Sequence, residues 1–180
     1  MKKVLIISSS PRKGGNSDML CSRFAQGARE SGHRVEKVFL REKFIAYCTG
    51  CGYCFHSHKC SLKSDDMNPL LDAMLAADVI VLATPVYFYN MSAQLKAFID
   101  RCAPCYREMY NKEFYYILTS TDEDPKHAER AADAIRSFTL DCLPGAVEKG
   151  IVYGVGVSRM GMVKDTPAWN AAYEMGKAIE

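Results

Sequence analysis

Four cysteines lie close together in one stretch of the sequence, with the spacing C-x2-C-x2-C-x5-C. The set consists of Cys48, Cys51, Cys54 and Cys60. Short intervals let one loop wrap a small inorganic core, and Gly50 and Gly52 permit the tight turns this requires, so the spacing suits a [4Fe-4S] cluster. A tetrahedral zinc site more often comes from two separated C-x2-C pairs. Three interpretations stay open: an iron-sulfur cluster, a zinc ion and reduced structural thiols.

A second chemically promising stretch, residues 8–17, follows a short apolar run. It offers hydroxyl groups, the fixed cation of Arg12, two glycines and the unpaired amides of a following helix, which together suit a phosphate. The residue order matches neither GxxxxGK[ST] nor GxGxxG, so a phosphate monoester is favoured over a nucleoside triphosphate or a dinucleotide. The alternative is an ordinary turn in which Asn16 or Ser17 only caps the helix.

Three consecutive aromatic residues follow a later apolar run, in the segment 84–92. Aromatic faces and backbone amides suit a flat heteroaromatic ligand, which buries apolar area while its edges take hydrogen bonds. The alternative is that these aromatics cover a hydrophobic edge or join a dimer interface. A further loop at 119–121 carries hydroxyl groups that could hydrogen-bond the same ligand.

Strand and helix patterns alternate along the chain and would position these loops. The expected strands are 4–7, 35–40, 79–82, 114–118 and 151–155. Capping residues followed by proline predict three helix starts, at Asn68-Pro69, Asp124-Pro125 and Thr166-Pro167. The alternation predicts an α/β fold, a flavodoxin-like three-layer sandwich with a five-stranded parallel sheet. We expect one domain over residues 1–180, with a cysteine-rich loop at about 41–66.

Composition excludes several classes of function. The chain of 180 residues has 23 Lys and Arg against 21 Asp and Glu, so it offers no basic field for nucleic acid or for a membrane surface. No apolar run approaches the ~18 residues of a membrane span, and no export signal is visible, so we expect a cytoplasmic protein with reduced thiols. The cysteines outside the cluster are predicted to be small buried hydrophobes. They are Cys21, Cys102, Cys105 and Cys142.

Two of these segments carry a family resemblance. Residues 9–17 resemble the (G)SPRxxxNS/T loop of flavodoxin-like NADPH-dependent FMN reductases and iron-sulfur flavoproteins, with Ser9 where that family usually has glycine. Residues 85–101 resemble the family signature PVYxxxxSAxLKxFxDR. The resemblance implies that the first loop holds the FMN phosphate and the second lies along the isoalloxazine ring. The residues expected to bind the cofactor are Ser8, Ser10, Arg12, Asn16, Ser17, Pro85, Val86, Tyr87, Phe88, Asn90, Ser120 and Thr121.

The resemblance also implies a function. We expect an FMN-dependent oxidoreductase that takes electrons from NAD(P)H and passes them through bound FMN to a small-molecule or protein acceptor. The alternative is an electron-transfer iron-sulfur flavoprotein, in which a [4Fe-4S] cluster on the 48–60 loop exchanges electrons between a ferredoxin-like partner and FMN. A flavin-free regulatory or phosphate-binding module is a third hypothesis. A homodimer or homotetramer with each flavin near the subunit boundary is implied, and no catalytic acid or base is assigned.

Overall fold

Five strands and six helices alternate in the computed structural model, which describes all 180 residues. The strands are β1 (Lys3–Ser8), β2 (Arg34–Phe39), β3 (Val79–Pro85), β4 (Glu113–Thr119) and β5 (Val147–Gly154). The helices are α1 (Asn16–Glu30), α2 (Cys54–Ser57), α3 (Met67–Ala76), α4 (Ala93–Asp100), α5 (Pro125–Thr139) and α6 (Pro167–Lys177). None of the helices combines the length and the hydropathy that crossing a bilayer would need.

The strands form one parallel sheet in the order β2-β1-β3-β4-β5, which confirms the predicted α/β flavodoxin-like fold. The order reverses between β1 and β3. In open parallel sheets the ligand crevice lies beyond the carboxyl ends of the strands at such a switch point. The loops that follow β1 and β3 are therefore the ones placed to hold a ligand.

Helices cover both faces of the sheet, which explains why its central strands read as continuous apolar runs. On one face α1 and α6 pack on a cluster that includes Val4 and Ile6, and on the other α3, α4 and α5 pack on Leu5 and Ile7. A Cβ added at Gly27 of α1 would lie 2.2 Å from the carbonyl oxygen of Tyr173. Glycine thus allows α1 and α6 to approach backbone to backbone.

The connection from β2 to α3 is the one long irregular segment, as the sequence indicates. Its only regular elements are a 3-10 turn, Leu40–Glu42, and the four residues of α2. Helix α3 begins at Met67, with Asp66 before it, and not at Pro69 as the Asn68-Pro69 pair predicts. The start lies earlier because the Asp65 carboxylate accepts the Met67 amide at 3.2 Å, which fixes the chain there.

Three of the four cysteines outside the cluster are buried, as predicted: Cys21, Cys102 and Cys105. Burial raises the pKa of Cys21 to about 12 and that of Cys105 to about 11, so both remain thiols at neutral pH. The prediction for Cys142 is wrong, because α5 ends at Thr139 and Cys142 lies exposed in the turn that follows.

Candidate functional site

The loop between β1 and α1 forms a tight cradle of free backbone amides. Gly15 precedes the helix and provides no side chain to cap it, and the amides of Asn16, Ser17 and Asp18 donate to no group of the protein. Gly14 has a φ of +69°, and a Cβ added at Gly15 would lie 2.7 Å from Ser10 Oγ. The loop therefore closes only with glycine, and it presents the positive end of the α1 dipole.

The loop after β3 begins with a two-residue hairpin. Tyr87 and Asn90 exchange both backbone hydrogen bonds, at 2.9 and 3.0 Å, around Phe88 and Tyr89. Both central residues have positive φ, +49° and +61°, a conformation that favours glycine or asparagine and is strained for aromatic residues. The Phe88 side chain is fully exposed at the tip. A strained turn that presents an exposed aromatic ring is typical of a binding segment.

Buried hydroxyl groups connect the two loops. Ser9 Oγ donates to the carbonyl of Ala83 at 2.8 Å and accepts a hydrogen bond from Ser92 Oγ at 2.9 Å. The Ser92 amide in turn donates to Thr84 Oγ1 at 2.9 Å. These contacts explain a serine where the family usually has glycine, because the Ser9 hydroxyl bridges β3 and the start of α4.

The β4 and β5 loops complete the same edge of the sheet. The Val86 amide donates to the carbonyl of Thr119 at 2.8 Å, and the Ser120 amide donates to the carbonyl of Gly154 at 3.0 Å. Val157 closes the row by donating to the carbonyl of Ser120 at 2.9 Å. All four strand-end loops are thus fixed to one another by backbone hydrogen bonds.

A cavity of about 120 Å³ opens where these four loops meet. Its lining includes most of the residues that the sequence predicts for the cofactor, namely Ser10, Arg12, Asn16, Ser17, Pro85, Val86, Tyr87, Ser120 and Thr121. Three predicted residues lie outside it. Ser8 is buried at the end of β1 with no hydrogen-bond partner for its hydroxyl, Phe88 points into solvent, and Asn90 Oδ1 accepts the Met91 amide at 2.8 Å.

The segment after β5 also contributes to the cavity, which the sequence does not predict. Val157, Ser158 and Met160 line it. Asn16 holds this segment in place: its side-chain amide donates to the carbonyl of Arg159 at 2.9 Å, and its Oδ1 accepts the Gly161 amide at 3.0 Å. The Asn16 side chain therefore shapes the cavity wall, while its backbone amide remains free for a ligand.

A buried ion pair lies next to the amide cradle of the loop between β1 and α1 and stabilises it. Asp18, in the first turn of α1, accepts the Gly14 amide at 2.9 Å and pairs with the ammonium group of Lys37 from β2. The same ammonium donates to Ser22 Oγ at 2.8 Å. Lys37 thus compensates a carboxylate that would otherwise repel an anion at the helix N-terminus.

The four clustered cysteines lie around a second cavity, of about 90 Å³. No three His, Cys, Asp or Glu side chains converge as a site for a single metal ion requires. Zinc would need its thiolates at about 2.3 Å from one centre, whereas a [4Fe-4S] cluster binds one thiolate at each of four corners. All four cysteines line this one cavity, and four thiols are the donor set that a [4Fe-4S] cluster takes, so the residues present fit that group.

The neighbours of one cysteine in this set favour its thiolate form. The Cys51 thiol lies 3.3 Å from Ser61 Oγ. This hydrogen bond, with others from the Tyr53 backbone and Thr49, lowers the pKa of Cys51. The thiolate is the form of cysteine that binds metals.

Comparison with known proteins agrees with this arrangement. An iron-sulfur flavoprotein of Archaeoglobus fulgidus is 34% identical over 98% of this chain and 93% of its own length. A second iron-sulfur flavoprotein of that organism is 42% identical over 57% of this chain, and the match spans about half of its length, 46%. The azoreductase of Bacillus anthracis strain Sterne has the same fold, with a TM-score of 0.77 at 18% identity over 99% of this chain and 100% of that one.

A family model described as NADPH-dependent FMN reductase matches residues 2–150, which include β1 to β4, the phosphate cradle, the aromatic hairpin and the four clustered cysteines. The match thus covers both cavities, apart from the contribution of the segment after β5. This chain belongs to the NADPH-dependent FMN reductase family.

Proposed function

We propose that this protein is an FMN-dependent oxidoreductase whose cysteine loop binds a [4Fe-4S] cluster. One observation supports the flavin part most strongly: the cavity at the switch point brings together Asn16 and Ser17, whose amides are free, with Arg12 and with Tyr87 of the aromatic hairpin. The amides and the guanidinium suit a dianionic phosphate, and the hairpin suits an aromatic ring.

Each part of the cofactor has its own place in this proposal. The phosphate binds to the amides of residues 16–18, to the hydroxyls of Ser10 and Ser17, and to Arg12. Tyr87, which lines the cavity, and Phe88, at the exposed tip of the hairpin, would hold the flavin ring. The Ser120 and Thr121 hydroxyls are within the same wall.

When bound, FMN supplies the redox chemistry, accepting electrons from NAD(P)H and releasing them to an acceptor. The chain's own residues bind and orient it. Arg12 is the only charged residue that lines the cavity, and no catalytic acid or base is assigned. The protein's contribution is therefore fixed dipoles, steric orientation and exclusion of water from one side of the ring.

Two observations support the proposed cluster. Four thiols line one cavity, and the relative that matches 98% of this chain is an iron-sulfur flavoprotein. Such a cluster makes electron transfer from a ferredoxin-like protein partner the second candidate function. Ser92, which contacts Ser9 of the first loop, and Ala103, which lines the cysteine cavity, flank the two ends of α4. Eight residues of helix correspond to about 12 Å. The acceptor is a small molecule or a protein.

A cytoplasmic homodimer or homotetramer completes the proposal. Phe88, Phe55 and Tyr47 are exposed aromatic residues on the loops at the ligand edge of the sheet. An open flavin groove flanked by exposed aromatics is the kind of surface that a second subunit covers.

The test is anaerobic reduction of the purified protein, followed by absorbance. If NADPH or NADH bleaches the flavin bands within the time of a catalytic turnover, the reductase proposal holds. If only a reduced iron-sulfur protein bleaches them, the electron-transfer candidate replaces it. Protein that binds no FMN at all, with an intact fold by circular dichroism, contradicts both.

A further inference from the structure

A buried arginine lies at the C-terminal end of α4. The Arg101 side chain is 1% exposed and is the largest fully buried side chain of the protein. A buried guanidinium is costly unless it is paired and hydrogen-bonded, so its partners indicate its purpose. None of them belongs to the flavin cavity.

The partners of Arg101 lie at both ends of the cysteine loop. Its Nη1 donates to the carbonyl of Ala46 at 2.7 Å and to Asp65 Oδ2 at 2.6 Å, and its Nη2 donates to the carbonyl of Leu62 at 3.4 Å. Ala46 lies two residues before Cys48, and Leu62 lies two residues after Cys60. One planar group thus joins the two ends of the segment that carries all four thiols.

Asp65 reinforces the same junction. Its Oδ2 also accepts the Ala46 amide at 3.1 Å. Burial opposes ionisation of Asp65, but the hydrogen bonds from Arg101 and from the Ala46 amide outweigh it and lower its pKa. Both members of the pair are therefore charged at neutral pH.

One donor of Arg101 has no partner in the protein. Nε is buried and makes no hydrogen bond. Burial opposes the charge on Arg101, yet hydrogen bonding to Asp65 outweighs it and raises the arginine's pKa. A buried, unsatisfied N–H requires an explanation.

We propose that Arg101 is a positioning residue for the cysteine loop: through the Ala46 and Leu62 carbonyls and the Asp65 carboxylate it holds the two ends of the loop together. The inference rests on the proposed cluster and deepens it. Groups that hold metal ligands in their orientation are among the features that set how firmly a site keeps its metal.

The test compares Arg101→Lys and Arg101→Gln with a matched control, Arg107→Gln, which removes an exposed arginine six residues away. Each variant is purified without oxygen and its FMN, iron and melting temperature are measured. Iron release to a chelator is then timed. For Arg101→Gln we expect iron release at least about 10-fold faster than wild type, with FMN content unchanged.

Arg101→Lys keeps the charge but cannot reach Ala46, Asp65 and Leu62 at once. We expect its iron release to stay fast, and we expect Arg107→Gln to release iron like wild type. The inference is overturned if a folded Arg101→Gln releases iron like wild type. It is also overturned if both Arg101 variants lose FMN and iron in parallel, which indicates a general structural role. Wild-type protein without iron instead contradicts the proposed cluster itself.

Discussion

The flavin cavity and the cysteine loop are built in different ways. The flavin cavity is lined by loops that follow β1, β3, β4 and β5, and hydrogen bonds such as Ser9–Ala83 and Val86–Thr119 fix each loop to its neighbour. The cysteine loop follows the edge strand β2, contains one short helix, and is fixed mainly at its ends, by Arg101, Asp65 and Asp66. Cys48 and Cys51 are exposed.

This difference suggests how the two sites depend on the rest of the protein. The sheet forms the flavin cavity whether or not a ligand is bound, so changes there should alter affinity locally. The conformation of the cysteine loop depends on a few contacts at its two ends and on the group that its thiols bind. A substitution that weakens binding at one site should therefore leave binding at the other site unchanged.

Gly15→Val is the change expected to have the largest effect. The added Cβ would lie 2.7 Å from Ser10 Oγ and displace the amide cradle. Loss of two or more charge-assisted hydrogen bonds, at about 1.5–3 kcal/mol each, weakens FMN binding roughly 1,000-fold. Titration of flavin fluorescence measures the Kd for FMN. Iron content should stay at the wild-type level, and a parallel loss of iron would show that the sites are coupled.

Lys37→Met tests the support behind the cradle. It leaves the Asp18 carboxylate buried without its partner cation, so the free energy of unfolding should fall by about 3 kcal/mol. The double variant Asp18→Asn/Lys37→Met should recover a large part of this loss, because no buried charge remains. Chemical denaturation measures both, and equal losses in the single and double variants would contradict the ion-pair explanation.

Arg12→Ala removes the one charged side chain in the cavity lining. Its charge-assisted contact with the phosphate is worth about 2 kcal/mol, so the Kd for FMN should rise roughly 30-fold. The effect should shrink at high salt, because Arg12 is exposed and screened. Lys13→Ala, at the exposed neighbour that does not line the cavity, should change the Kd less than about threefold.

Phe88→Gly has the smallest expected effect. We expect it to stabilise the ligand-free protein, whereas the preceding changes lower stability or FMN affinity. Glycine adopts positive φ without strain, so the ligand-free protein should become more stable by about 0.5–1 kcal/mol. If Phe88 contacts the flavin ring, FMN binding should weaken in the same variant. A thermal melt with and without FMN measures both, and a lower stability of the ligand-free form would show that the aromatic ring packs in the hairpin.

Most of the residues that the sequence predicts for the cofactor line one cavity, because strand ends and their loops carry local signals. Hydroxyls, glycines and Arg12 after β1, and aromatics after β3, are visible as residue types. The contribution of Val157, Ser158 and Met160 could not be predicted, since these residues have no ligand-specific character and only the topology brings them to the cavity. The side-chain role of Asn16 toward Arg159 likewise depends on a contact across 143 residues.

The cysteine loop shows the opposite pattern. Its four cysteines stand out in the sequence by their spacing, but the conformation of the loop could not be predicted, because no periodicity describes residues 41–66. Arg101 is part of the family signature 85–101, yet its burial and its contacts with Ala46 and Leu62 emerge only in three dimensions.

The most direct measurement is the content of FMN, iron and acid-labile sulfide per chain in wild type and in Cys51→Ser, both purified without oxygen. The account predicts one FMN with about four iron and four sulfide in wild type, and one FMN with little iron in the variant. Wild type that holds FMN but no iron would contradict the cluster, and a variant that loses FMN together with iron would contradict the independence of the two sites.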